Sequence, residues 1–148
     1  MCTSGKFLMS LFILFSPLSK CAQVLKHDSV EKVDHVDLDE EVIRTCEKYF
    51  PQWGDAWKDP RATLHIQDGA QFVRDSPDSF YDVIIQDSSD PFVIEDDGIV
   101  TPLPSGVLYE EDHICQLHRI LKPNGILNIQ VSRRHSFRTN AQSGSDEN

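Results

Sequence analysis

The feature that most narrows what this chain can fold into is residues 82–91, Asp-Val-Ile-Ile-Gln-Asp-Ser-Ser-Asp-Pro. Val83, Ile84 and Ile85 form a short β-branched run, the composition of a strand covered on both faces of a parallel sheet. The run stops at Asp87. Asp87 and Asp90 then enclose two hydroxyls, with a proline after them, where such a strand would open at its carboxyl end. Ligands of open α/β sheets bind in that crevice. Capping and turn formation account for the same residues, because Asp and Ser bond nearby backbone and Pro ends a strand. The stretch therefore predicts a buried strand and leaves two readings of its polar end.

The rest of the chain supplies neighbours for that strand. Residues 7–15, Phe-Leu-Met-Ser-Leu-Phe-Ile-Leu-Phe, are the most apolar stretch. They fall short of the roughly 20 residues that span a bilayer. They read either as a buried first strand over 11–14 or as the apolar part of a secretory signal, with Lys6 before it and small residues at 19–22 after it. Residues 22–27 are expected to form a short helix. Residues 33–38 alternate, with Val33, Val36 and Leu38 apolar, and predict a second strand ending near Asp37. Asp39 fits an N-cap, with Glu40 and Glu41 in the first turn of a helix that carries Val42, Ile43, Cys46, Tyr49 and Phe50 at helical spacing.

Residues 51–60, which hold Trp53 and Trp57, read as a loop and 63–66 as a third strand. Gly69 is expected to turn the chain after Asp68 into a helix over 70–74. Residues 92–106 read as a long irregular loop over the crevice. Residues 109–121 read as a helix with Ile114, Leu117 and Leu121 on one stripe, and 126–131 as a last strand. His113 and His118, five apart, are expected at the surface. From Arg133 the chain is polar and expected to be disordered. Strands and helices thus alternate, which predicts a parallel sheet with crossover helices.

Three carboxylates, Asp37, Asp68 and Asp87, stand at the carboxyl ends of three successive predicted strands. Caps and turns explain one such residue more readily than three. In dinucleotide-binding folds an acidic residue about 20 positions past the first tight turn bonds ribose hydroxyls, and Asp37 keeps that distance from the turn at 15–20. A nucleoside ligand is the inference. The net charge of −10, from 24 acidic and 14 basic residues, argues against a nucleic-acid partner and suits a cationic ligand. Cys2, Cys21, Cys46 and Cys115 form no C-x-x-C pair, and no histidine lies at zinc spacing. No metal site or disulfide framework is expected, and idle thiols fit a reducing, cytoplasmic setting.

With Asp68-Gly69 upstream, and His27-x-Ser29-Val30-Glu31 leading into Asp37-Leu38-Asp39-Glu40, residues 82–91 resemble the spermidine synthase family of polyamine aminopropyltransferases. The resemblance runs from about residue 24 to residue 130. It implies an α/β fold, a Rossmann-like, doubly wound, mostly parallel sheet of the class I methyltransferase type, incomplete here. It divides the chain into a divergent apolar segment 1–23, an aminopropyltransferase-like catalytic domain 24–132 and a disordered polar tail 133–148. It also implies transfer of an aminopropyl group from decarboxylated S-adenosylmethionine, a co-substrate, to a diamine such as putrescine. Spermidine and methylthioadenosine would be the products, with no cofactor, metal, nucleic acid or membrane involved.

Carried over position by position, the resemblance makes Asp37 the acidic ribose ligand, where the family usually has Glu. It makes Asp68 and Gly69 the pair at the adenine end and Asp87 the general base. Ser88 and Ser89 belong to the same substrate-binding turn, Asp90 helps hold the diamine, and Gln130 faces the substrate amine. The match breaks at the family's glycine-rich loop, which falls on residues 15–20, Phe-Ser-Pro-Leu-Ser-Lys, without a glycine. Pro17 has no N–H to donate, and side chains at Phe15 and Leu18 would crowd a nucleoside. The family's N-terminal β-domain and last strands have no counterpart. The expectation is therefore a truncated or misassembled gene product, with any homo-oligomer weakened. Two other readings stay open: a class I S-adenosylmethionine-dependent methyltransferase, and a catalytically impaired fragment or non-catalytic partner of an intact subunit.

Overall fold

A computed structural model describes residues 8–14, 19–51, 55–95 and 97–130. The apolar stretch near the start supplies β1 (Leu8–Leu14), the middle strand of a five-stranded sheet. On one side of it lie β2 (Val30–Asp37) and then β3 (Ala62–Ile66). On the other lie β4 (Tyr81–Asp87) and then β7 (Leu121–Ile129). All four pairings are parallel. The order β3-β2-β1-β4-β7 reverses direction between β1 and β4, so the switch point, where ligands of such sheets bind, lies at their carboxyl ends.

Among the described residues the α-helices between strands are α1 (Ser19–Val24), α2 (Glu40–Tyr49), α3 (Gly69–Asp75) and α4 (Glu111–Ile120). Both faces of the sheet are covered. Leu11, Val36 and Ile84 pack with Val73 of α3 and with Leu117 and Ile120 of α4. On the opposite face Val30 and Val33 pack with Cys21 of α1, Leu25 and Ala56. This double burial explains why β2 does not alternate as half-exposed strands do. Residues 33–37 are all buried, while Leu38, expected among the apolar inward members, is 61% exposed beyond the strand end. Asp34, buried inside β2, is partnered: the Tyr81 hydroxyl donates to it at 3.1 Å, and His65 Nε2 and Lys32 Nζ lie 2.9 and 3.1 Å away. Paired burial is what makes a core carboxylate tolerable.

Several boundaries differ from the sequence expectation. The first helix begins at Ser19, and within 51–60, expected as a loop, Asp55–Lys58 form a 3-10 turn while 52–54 lie outside the described residues. In α2 the inward residues are Ile43 and Cys46, whereas Tyr49 and Phe50 are exposed. Gly69 is the first residue of α3 and has no positive φ. The largest correction concerns residues 92–106. They are not an irregular loop but a hairpin, β5 (Phe92–Ile94) paired antiparallel with β6 (Val100–Pro102), followed by a 3-10 helix over Pro104–Tyr109. Gly98 closes the hairpin with φ +83°, donating to the Glu95 carbonyl at 2.9 Å. That left-handed value suits glycine alone among common residues at no steric cost.

α4 begins at Glu111, two residues later than the spacing suggested, and β7 follows at Leu121. The pairing of β4 with β7 shifts register between Tyr81, level with Leu121, and Val83, level with Ile126. Gly125 passes so close to β4 that an added Cβ would stand 2.9 Å from the Asp82 carbonyl. His113, expected at the surface, is buried, while His118 is exposed. His113 shares a helix face with Leu117 at i+4 and Ile120 at i+7, and that stripe turns inward. No helix among the described residues is long and apolar enough to cross a membrane. The 15–18 part of the glycine-free loop and the tail beyond 130 lie outside the described residues.

Candidate active site

Strand register places the two principal carboxylates at one level. Ile13 of β1 is level with Val36 of β2 and Gln86 of β4, and Leu14 pairs with Asp87. Asp37 and Asp87 therefore flank the end of β1, about 10 Å apart as two strand spacings require. Side chains alternate along strands, so Asp37 and Asp87 leave the sheet on the α1 face while Val36 and Gln86 leave on the α3 and α4 face.

Asp37 is 2% exposed. Its Oδ1 accepts the N–H of Asp39 at 2.9 Å, so part of this acidic cluster is a local turn. Its Oδ2 is buried with no hydrogen-bond partner among the described residues. Burial pushes its carboxyl above the ordinary carboxylate range, opposed by the Asp39 N–H bond. An unpaired buried carboxylate oxygen is costly, and a ligand hydroxyl donating to it would remove that cost. Asp39, two residues on, caps α2 by accepting the Glu41 N–H at 2.8 Å.

Asp68 is the N-cap of α3, accepting the Gln71 N–H at 2.7 Å. Capping thus explains one of its oxygens. Asp68 and Gly69 also line a pocket of about 330 Å³ on the α3 and α4 face. Its other walls are Val36, Leu38 and Gln67 from the sheet side, Ser89 from the turn after β4, and Leu103, Pro104 and Leu108 from the segment before α4. The pocket is mostly apolar with a few polar groups at its rim, the usual make-up of a small-molecule site. Asp68, Gly69 and Ser89 are brought together in it. Asp37 and Asp87 lie across the strand ends from it, so a ligand reaching all of them would straddle the end of β1.

Asp87 is buried, 6% exposed, at the last position of β4. The turn that follows is fastened by its neighbours. Ser88 Oγ donates to the Tyr109 hydroxyl at 3.1 Å, and Ser105 Oγ donates to the Asp90 carbonyl at 2.7 Å. Gln130 lies just past β7, exposed, with its N–H donating to the Gln86 carbonyl at 2.9 Å. Sequence reasoning missed Gln86 itself. This side chain is fully buried, donates from Nε2 to the Leu108 carbonyl at 2.8 Å and lies 2.8 Å through Oε1 from His113 Nε2. With the amide nitrogen turned to Leu108, the amide oxygen that faces the ring can only accept, so His113 Nε2 donates to it. Burial, then the Arg74 charge, holds His113 below its ordinary pKa. A glutamine ending an otherwise apolar run was the available signal. His35, also on the Asp37 face, is fully buried against Trp57 at 4.9 Å, with both ring nitrogens unpartnered among the described residues.

A parallel sheet with a 3-2-1-4 core, crossover helices on both faces and a pocket beside the switch point is the Rossmann-like architecture that class I methyltransferases share. Human methyltransferase-like protein 13, solved with SAH, shares the fold over 82% of this chain and 53% of its own, with a TM-score of 0.60 at 21% identity. Within that class, residues 18–143 match the spermine/spermidine synthase domain, and the chain belongs to that family. It is 44% identical over 115 residues to a polyamine aminopropyltransferase of Methylococcus capsulatus, covering 78% of this chain and 36% of the relative. A spermidine synthase solved with the transition state analogue AdoDATO superimposes with a TM-score of 0.67 at 34% identity, over 79% of this chain and 36% of that one. The chain thus spans little more than a third of the length of these two relatives.

Proposed function

We propose that this chain carries the nucleoside and amine sites of a polyamine aminopropyltransferase, acting on decarboxylated S-adenosylmethionine and a diamine such as putrescine in the cytoplasm. The observation that carries the reading is the gathering of Asp37, Asp68 and Asp87 at one edge of the sheet, in a chain whose family members are named for this reaction. Asp37 accepts ribose hydroxyls, and Asp68 and Gly69 border the adenine in the apolar pocket. Asp90 and Gln130 face the amine, and Ser88 and Ser89 shape the turn between.

An alkylammonium with a pKa of about 10.4, taking lysine as the model, must lose a proton before it can attack. Within a closed site the neighbouring sulfonium lowers the amine's pKa while desolvation raises that of a carboxylate, bringing the two closer. The nitrogen lone pair then attacks the aminopropyl carbon attached to sulfur, and the proton passes to Asp87. The carbon–sulfur bond breaks with its electrons retained by sulfur, which leaves as neutral methylthioadenosine. No negative charge develops on the leaving group, so catalysis rests on positioning and proton acceptance.

Aminopropyl transfer to putrescine, followed with Asp87→Asn, tests the reading. The variant is expected to lose about 100-fold or more in kcat, the usual worth of a general base, with methylthioadenosine affinity kept within about threefold. Equal turnover by the variant would remove Asp87 from the chemistry. A wild-type chain that binds methylthioadenosine but transfers nothing would leave the non-catalytic subunit reading.

A further inference from the structure

Between the carboxylate turn and the wall of the pocket lies a set of links that the reaction scheme above does not use. The Tyr109 hydroxyl, at the end of the 3-10 helix, accepts from Ser88 Oγ at 3.1 Å. It also lies 3.3 Å from three carbonyl oxygens, those of Ser88, Ser89 and Gln130, any of which can take its single proton. One phenol thus stands where the turn after β4 meets the end of β7. The same turn is tied to the pocket wall by Ser105 Oγ on the Asp90 carbonyl at 2.7 Å, and the wall is tied back to β4 by Gln86 on the Leu108 carbonyl at 2.8 Å.

We propose that Tyr109 is a positioning residue for the amine substrate: its hydroxyl fixes residues 88–90 against the end of β7 and so sets where Asp90 and Gln130 meet the amine. This rests on the aminopropyl-transfer reading for the identity of the ligand. Four oxygens around one hydroxyl explain why a tyrosine stands there. A phenylalanine would fill the same half-buried space but leave the turn and the β7 end unlinked, each free to bond water instead. Of the nucleoside pocket's walls only Ser89 belongs to this turn, and the wall at Leu108 keeps its tie through Gln86, so removing the hydroxyl acts mainly on the amine end.

The experiment is calorimetric binding of putrescine to the methylthioadenosine-saturated chain, for wild type, Tyr109→Phe, Ser88→Ala and the double variant, beside melting temperatures. Tyr109→Phe is expected to weaken putrescine about tenfold while methylthioadenosine affinity stays within twofold. Ser88→Ala is expected to weaken putrescine less, and the double variant no more than Tyr109→Phe alone, because both changes act on one link. Where wild type binds putrescine, unchanged putrescine binding in Tyr109→Phe overturns the positioning role and leaves the proposed function standing. Parallel loss of both ligands and of melting temperature in Tyr109→Phe overturns it in favour of a folding role. If wild type binds both ligands but transfers nothing, aminopropyl transfer fails while the putrescine comparison still decides Tyr109. If wild type binds methylthioadenosine but no putrescine, the amine site and the role of Tyr109 fail together.

Discussion

His35 sits two residues before Asp37 on the same face of β2, fully buried, with burial the main cause and His65 a second cause of a pKa lowered to about 4. Its ordinary value is 6.5. Above pH 6.5 the ring is neutral in both the folded and unfolded chains and contributes no pH dependence. As pH falls below that value the unfolded chain takes up a proton that the fold refuses, and stability drops until about pH 4, where the fold accepts it too. The difference amounts to on the order of 3 kcal/mol for this residue. His113, also held low, acts in the same direction, whereas Asp37, held high, acts against it. Urea unfolding at pH 7 and pH 5 should show lower stability at pH 5, and His35→Leu should flatten the difference. Equal pH dependence in the variant would show that His35 is not the group responsible. Asp37 was legible because it follows an apolar strand and precedes a cap. His35 was not, since a single histidine within a strand does not reveal whether partners await it.

At the scale of elements, α2 illustrates what local chemistry specifies. Asp39 accepts the Glu41 N–H, Glu40 and Glu41 occupy the positive end of the helix, and both carboxylates meet Arg44 at 3.0 and 3.1 Å. Asp39→Ala should cost about 1 kcal/mol of stability, the ordinary value of an N-cap. It keeps the backbone N–H that bonds Asp37, so methylthioadenosine affinity should change by less than about twofold. A stability loss near zero in urea titration would mean that the cap is replaced by water at no cost. The strands and this cap could be read from the sequence because each is encoded within a few residues. The β5 and β6 hairpin could not, because its strands are three residues each with a proline at the end of β6, and exposed Val93, Ile94 and Val100 give no period. The inward turn of His113 became clear only with its distant partner Gln86.

Over the whole molecule, the charge of −10 and the gathering of carboxylates at one edge of the sheet suit a cationic substrate. The parallel alternation, with an acidic residue at each of three strand ends, was enough to place that edge. The split of the candidate site across the sheet was not legible. It depends on strand register, which puts Asp37 and Asp87 on either side of β1 and the Asp68 pocket on the other face. Two arginines brace this frame far from the site. Arg61 donates to the carbonyls of Leu25, His27 and Val30, and Arg119 to those of Val73, Arg74 and Ser76. They tie together the connections that lead into β2 and out of α3.

The central claim is that these strand ends form a working nucleoside site, and calorimetric binding of methylthioadenosine to wild type and Asp37→Ala tests it most directly. Micromolar binding to wild type is expected, weakened on the order of 30-fold in the variant as about 2 kcal/mol of hydroxyl contacts to a buried carboxylate are lost. No heat from a folded wild-type sample, or equal affinity in a folded Asp37→Ala sample, would contradict it.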